Sequence, residues 1–188
     1  MITGERRSVD HVKALWALNE IKSDRTKKFY HDIRVPEILH SLGTGTDSVV
    51  DPGSSEFRVL IEMFEAAREK FLYMYFNGVK EFVMEQWPVE RLCAVKAMSQ
   101  MDPLGRGRFI SVLAFALSPP PAGADDGDPR VAAARAPLSD APIIPTEPVI
   151  AGLYNGLQVL IDGYRRSILF LRSAGQDDCI PILVPIAA

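Results

Sequence analysis

Cysteine is scarce in this 188-residue chain, and the two present, Cys93 and Cys179, lie far apart beside apolar residues. No C-x-x-C pair occurs, which excludes a zinc ribbon or a thioredoxin-type motif and predicts two reduced thiols. Basic excess is also missing. Lysine and arginine total 21 against 24 acidic residues, net charge −3, with a pI of about 5.6. A protein that grips a DNA backbone non-specifically carries the opposite balance, so DNA is not an expected partner. No apolar run approaches the roughly 18 residues that cross a bilayer. The N-terminal MITGERRSVDHVK has no apolar segment of the signal-peptide kind. A cytoplasmic protein without a membrane partner is expected. The three histidines, His11, His31 and His40, all fall in the N-terminal part without an acidic partner in pattern. That supports no histidine triad and no metal cluster, and names no metal ligand.

What is present suits a folded α+β domain. Hydrophobic residues make up 47% and charged residues 24%, enough for a sizeable core. Residues 8–31 carry apolar positions Val9, Val12, Leu15, Trp16, Leu18 and Ile21 at spacings of three and four, with Ser8 as cap and Glu20 among the polar positions. Glu37 to Leu42 adds a helical turn after Pro36, and 43–55 is a loop by composition. Its Gly-Thr-Gly-Thr lacks the Gly-Lys-Ser/Thr ending of a phosphate loop. A second helix is predicted over 56–77, capped by Ser54 or Ser55 and closed by Gly78. Its aromatic run at 71–76 offers rings that could stack a base or ligand, and at helical spacing reads as core or as a homodimer contact.

From Val79 the pattern changes. Residues 81–87 read as a strand, and Pro88 to Leu92 as a turn into a helix reaching Met101. A turn follows at 102–107. Residues 108–117, RFISVLAFAL, favour a buried strand, though the length alone does not exclude a helix. The proline-rich stretch 118–147 predicts a long surface excursion, with a helical turn at 129–136.

Chemistry concentrates in 147–186. Strand-like runs 148–153 and 157–161 flank Asn155-Gly156, the strongest short hairpin signal. Asp162-Gly163 then turns the chain into a helix over 164–174. Ile180 to Ile186 closes as a strand, its prolines favouring an edge or strand-end position, and is reached through a right-handed β-α-β crossover. A glycine at a strand end allows close approach of a ligand, and the next helix start favours an anion. Arg165 and Arg166 supply guanidinium forks and Ser167 a hydroxyl. The alternative is a solvated turn in which Asp162 merely caps the helix.

The run VLIDGYRRSILFLRSAG…IPILV, preceded by EPVIAG, resembles the core motif of the ParB/sulfiredoxin-like superfamily: a strand, a G-x-x-R turn, a helix and a closing strand. The match covers about 40 residues, with a weaker extension from about residue 81. The resemblance implies a ParB/sulfiredoxin-like mixed-sheet domain over 81–188 and an N-terminal helical lobe over 1–80. It also implies that Gly163, Tyr164, Arg165, Arg166 and Ser167 bind the phosphates of ATP or another nucleotide, with Mg²⁺. Tyr164 stands where sulfiredoxins need cysteine, so thiol chemistry is not expected. No helix-turn-helix domain is expected after the closing strand, and GERRS at Gly4 to Ser8 reads as a coincidence, with no strand before it. The D-G-x-R-R turn is most similar to small-molecule kinases of the free-serine-kinase type, with tyrosine in place of histidine. In that reading Asp162, then Glu147 and Glu90, are the candidate catalytic acids, for phosphoryl transfer to a small molecule or nucleotide hydrolysis. The competing expectations are a non-catalytic nucleotide switch or interaction module, and a scaffold with no ligand.

Overall fold

The computed structural model describes residues 2–23, 26–30, 35, 38, 40, 51–97, 110–117, 129–137 and 141–188. Outside these residues lie His31, most of the helical turn at 37–42, the glycine-threonine part of the 43–55 loop, the helix end at Met101, the turn at 102–107 and the stretch 118–128.

Strand β1 (Ile2–Ser8) opens the chain. It hydrogen-bonds antiparallel to β2 (Val79–Pro88), so GERRS lies within an edge strand instead of following one. Ser8 then caps α1 (Val9–Ile21), accepting from the His11 amide at 3.1 Å. The helix ends ten residues earlier than the predicted 31, and a single 3₁₀ turn follows at Lys27–Phe29. Ser54 caps α2 (Ser55–Phe71) through the Phe57 amide. This helix leaves helical geometry at Arg68 (φ −129°, ψ 27°) and widens into a π turn at Leu72–Phe76. Gly78, at φ 72°, ends it.

Short elements follow: α3 (Val89–Ala94), β3 (Lys96–Ala97), β4 (Ile110–Ser111), α4 (Val112–Leu117) and α5 (Pro129–Arg135). The strand predicted at 108–117 is thus mostly helix. The Ser111 hydroxyl accepts from the Ala114 amide at 3.1 Å and starts the turn, and periodicity does not separate the two conformations in so short an apolar run. Strands β5 (Val149–Tyr154) and β6 (Leu157–Asp162) form the expected hairpin. Asn155 (φ 50°) and Gly156 (φ 77°) supply its two left-handed residues. Helix α6 (Tyr164–Leu171) and strand β7 (Cys179–Ala187) complete the chain.

The seven strands form one mixed sheet in the order β1-β2-β7-β5-β6-β3-β4. Strand β7 is internal, not at an edge: it pairs antiparallel with β2 and parallel with β5. Its prolines are tolerated because β5 pairs only at Ile182 and Leu183, between Pro181 and Pro185. The predicted parallel crossover from β6 to β7 does not form. The hairpin reverses the chain, so β5 is the parallel neighbour of β7 and β6 runs opposite to both.

Both faces of this sheet are covered, and successive residues divide between two cores. Phe82, Ile150, Val159, Ile161 and Leu183 pack with α1, α2 and the π turn. Trp87, Val149, Ala151, Leu160, Ile182 and Val184 pack with residues of α3 to α6. Two-faced burial is why Val149-Ile150-Ala151 and Val159-Leu160-Ile161 read as unbroken apolar runs. The aromatic run at 71–76 is largely core. Phe71, Phe76 and Phe64 ring Trp16 with centroids 5.1–6.1 Å away, while Tyr73 points outward, 75% exposed. Among the described residues no helix is long and apolar enough to cross a membrane.

Phe82 is fully buried and joins β2 to the helix-side core through Phe76, ring centroids 5.8 Å apart. Phe82→Ala leaves a cavity that the sheet cannot collapse into, and is expected to cost about 3–5 kcal/mol of stability, read from urea unfolding.

Candidate functional site

The site begins where β6 stops. Asp162 is its last residue, and Gly163 follows at φ 87°, in the left-handed region open to glycine. A Cβ there would stand 2.8 Å from Val149 Cγ2, so the turn is closed to side chains on steric grounds as well. Gly163 is also the N-cap of α6 and has no side-chain oxygen to offer the first-turn amides. Tyr164, buried, donates its hydroxyl to the Leu160 carbonyl at 2.5 Å and ties the helix start back to β6.

Arg166 lies one turn beyond Asp162, half-buried. Its Nη2 donates to Asp162 Oδ2 at 3.0 Å and its Nη1 to Glu147 Oε2 at 2.7 Å. The fork is therefore held open across two carboxylates from separate segments. Asn19 of α1 reaches the same Asp162 oxygen, Nδ2 to Oδ2 at 3.2 Å. Because a carboxylate only accepts, this contact fixes which end of the Asn19 amide faces the turn. Arg165 projects outward.

The turn and the N-terminal helices enclose a cavity of about 490 Å³, within the range of small-molecule sites. The turn contributes Asp162, Gly163, Tyr164, Arg165 and Arg166, joined by Glu147 and Ile161. The N-terminal helices and the 3₁₀ turn contribute Trp16, Asn19, Glu20, Phe29, Arg68 and Phe71, with Lys22, Ser23 and Thr26. Four cationic residues, the exposed Arg165 among them, and three acidic ones thus line the cavity, a local positive balance in a chain of net charge −3.

A second ion pair in the cavity lining has no counterpart in the sequence reading. Glu20, treated there as a polar-face residue, is 8% exposed. It accepts two bonds from Arg68, Nε to Oε2 at 2.8 Å and Nη2 to Oε1 at 2.6 Å, and a third from the Tyr30 hydroxyl. The Arg68 guanidinium lies 4.3 Å from the Phe29 ring centroid and 5.3 Å from that of Phe71. Glu20 counts among the polar positions of α1, but Arg68, four residues after Phe64 and three before Phe71, falls on the apolar stripe of α2, a signal in the sequence that it is turned inward. The packing of α2 on α1 brings the two together.

Of the predicted site residues, Asp162, Glu147, Gly163, Tyr164, Arg165 and Arg166 share the cavity wall. Tyr164 is buried in the core formed with residues of α3 to α6, and its hydroxyl serves Leu160. Two residues stand apart. Glu90 is exposed on α3, away from the cavity lining. Ser167 is fully buried, is not among the lining residues, and its Oγ has no hydrogen-bond partner. His11 is half-buried in α1; burial, then the Arg7 charge, push its pKa down. His40 is exposed. Among the described residues no three of His, Cys, Asp or Glu are grouped as a metal cage, and both cysteines are unpaired.

Burial, the Glu20 charge and the hydrogen bond to Glu20 raise the Tyr30 pKa above its ordinary 10.0, against the opposing pull of Arg68. The folded protein therefore keeps a proton that the unfolded chain releases once the pH passes 10.0. Folding stability should fall as pH rises beyond that point. Tyr30→Phe is expected to flatten this decline, measured as urea midpoints on either side of pH 10.0. In comparisons of the chain with known proteins, no family model, curated protein or solved structure matches it.

Proposed function

We propose that the cavity binds the phosphates of a nucleotide at the 162–166 turn, within a ParB/sulfiredoxin-like domain, and supports phosphoryl transfer to a small molecule or hydrolysis of the nucleotide. One observation carries the reading. A left-handed glycine, an uncapped helix start and the Arg166 fork converge on one wall of a cavity of about 490 Å³. Backbone amides at a helix start and a guanidinium fork are two groups that suit phosphate oxygens.

The acids fit a supporting role for Mg²⁺. Asp162 and Glu147 each engage Arg166 through one oxygen, and Mg²⁺ in phosphoryl-transfer sites is typically held by one or two carboxylates together with substrate phosphates. Bound there, the ion would neutralise phosphate charge. The chain's own contribution is positional. Gly163 lets the phosphate approach the backbone, Arg166 orients it, and Asp162, steadied by Asn19, is the acid nearest the turn to accept a hydroxyl proton.

A second reading, a non-catalytic nucleotide switch, draws on the Arg166 fork itself. Glu147 lies two residues before β5, so a phosphate that takes Arg166 from Glu147 frees the segment leading into the central strands.

Thermal shift with ATP, ADP, CTP and GTP, with and without Mg²⁺, tests binding. A ligand at 100 times its Kd should stabilise the fold by about 2.7 kcal/mol. Arg166→Ala is expected to remove the shift, and no shift with any nucleotide in the unsubstituted protein sinks both readings. Asp162→Asn separates them: retained binding with lost turnover marks an enzyme, whereas binding without turnover in the unsubstituted protein marks a switch.

A further inference from the structure

Phe29 is an anomaly. It is 45% exposed, and among the exposed large apolar side chains of the described residues (Tyr73, Ile143, Ile144 and Leu157 are the others) it is the one that lines the cavity. An exposed ring on a three-residue 3₁₀ turn has little to hold it in place. Here it is backed from inside the protein. The Arg68 guanidinium lies 4.3 Å from its centroid, and Arg68 is itself locked by two bonds to Glu20. Glu20 in turn accepts from Tyr30, the residue directly after Phe29. Thr26, just before the turn, donates its hydroxyl to the Glu20 carbonyl at 2.7 Å. The turn is thus pinned on both sides of the ring to a single residue of α1. Lys28 also approaches the ring, Nζ 5.5 Å from the centroid, from an exposed position where water competes for it.

The pairing is costly as pure architecture. Glu20 and the Arg68 side chain are 8% and about 12% exposed, and charges so buried add little stability over an apolar pair of the same size. The helix also gives up regular geometry at Arg68 to make the contact, and departures of this kind gather at functional sites. What the arrangement does provide is an aromatic ring, backed by Arg68, that lines the same cavity as the 162–166 turn.

We infer that Phe29, backed by Arg68 and Glu20, is the stacking platform for the heteroaromatic base of the ligand. This rests on the phosphate reading of the 162–166 turn and extends it. The base of the nucleotide thereby gains its own contact, at Phe29, apart from the phosphate contacts of the turn. Stacking on an aromatic face is open to every base, so Phe29 selects for the presence of a base and leaves its identity to other contacts.

The test compares ATP, CTP and GTP with inorganic tripolyphosphate, which carries the charge without the base, by calorimetric titration. Nucleotide should bind more tightly than tripolyphosphate. Phe29→Ala should weaken nucleotide binding by about tenfold or more while leaving tripolyphosphate unchanged, and Phe29→Trp should retain it. Arg166→Ala should weaken both classes. A 2-aminopurine nucleoside triphosphate should lose fluorescence on binding the unsubstituted protein and keep it with Phe29→Ala. Equal affinity of nucleotides and tripolyphosphate, or nucleotide affinity unmoved by Phe29→Ala, overturns the platform and leaves the phosphate turn standing. Binding of neither class overturns the phosphate reading, and the platform falls with it.

Discussion

Strands β5, β6 and β7 are apolar on both faces, and that constraint organises the protein. A sheet of this kind cannot leave either side in water. Helices α3 to α6, which follow β2 in the chain, cover one side. The other side is covered from the N-terminal part of the chain, where α1 and α2 fold back over strands at least 78 residues further along. The cavity is a by-product of that closure. Where α1 and the 3₁₀ turn pass over the end of β6, they stop short of the Gly163 turn and leave a space walled by both halves of the chain.

Charges in that space are arranged in clasped pairs. Arg166 spans Asp162 and Glu147, and Arg68 is gripped by Glu20. Each guanidinium is held in one orientation by a carboxylate, which lowers the entropy lost when a further acceptor arrives. The pairs differ in setting. The Arg166 side chain and its two acids retain about 20–32% exposure, so water or a ligand can exchange into them. The Arg68 pair is nearly dry and stacks on aromatic rings. One wall is built for exchange and the other for rigidity.

Local elements were readable where a single residue type forces the geometry. Ser8 and Ser54 cap their helices as their position before an apolar period predicts. Asn155-Gly156 turns the hairpin, and Gly163 takes the left-handed turn before α6. Reading failed where the outcome depended on neighbours. The run at 108–117 is apolar enough for either conformation, and a serine hydroxyl tipped it to helix. The prolines of β7 point to an edge strand, yet β7 is internal, because its second neighbour is too short to need the missing donors. Glu20 sits on what looks like a polar face of α1 and is buried, because α1 is covered on more than one side.

The sequence by itself determined the glycine turn before α6: Asp162, Gly163 and Arg166 lie within five residues, and their geometry follows from glycine's freedom and one turn of helix. Only the tertiary structure decided what faces that turn. Arg166 meets Glu147 across 19 residues, Arg68 meets Glu20 across 48, and Asn19 meets Asp162 across 143. Contacts over such separations have no local signature. They are set by which helix covers which face of the sheet, and that is decided by burying the apolar surface of the whole chain at once.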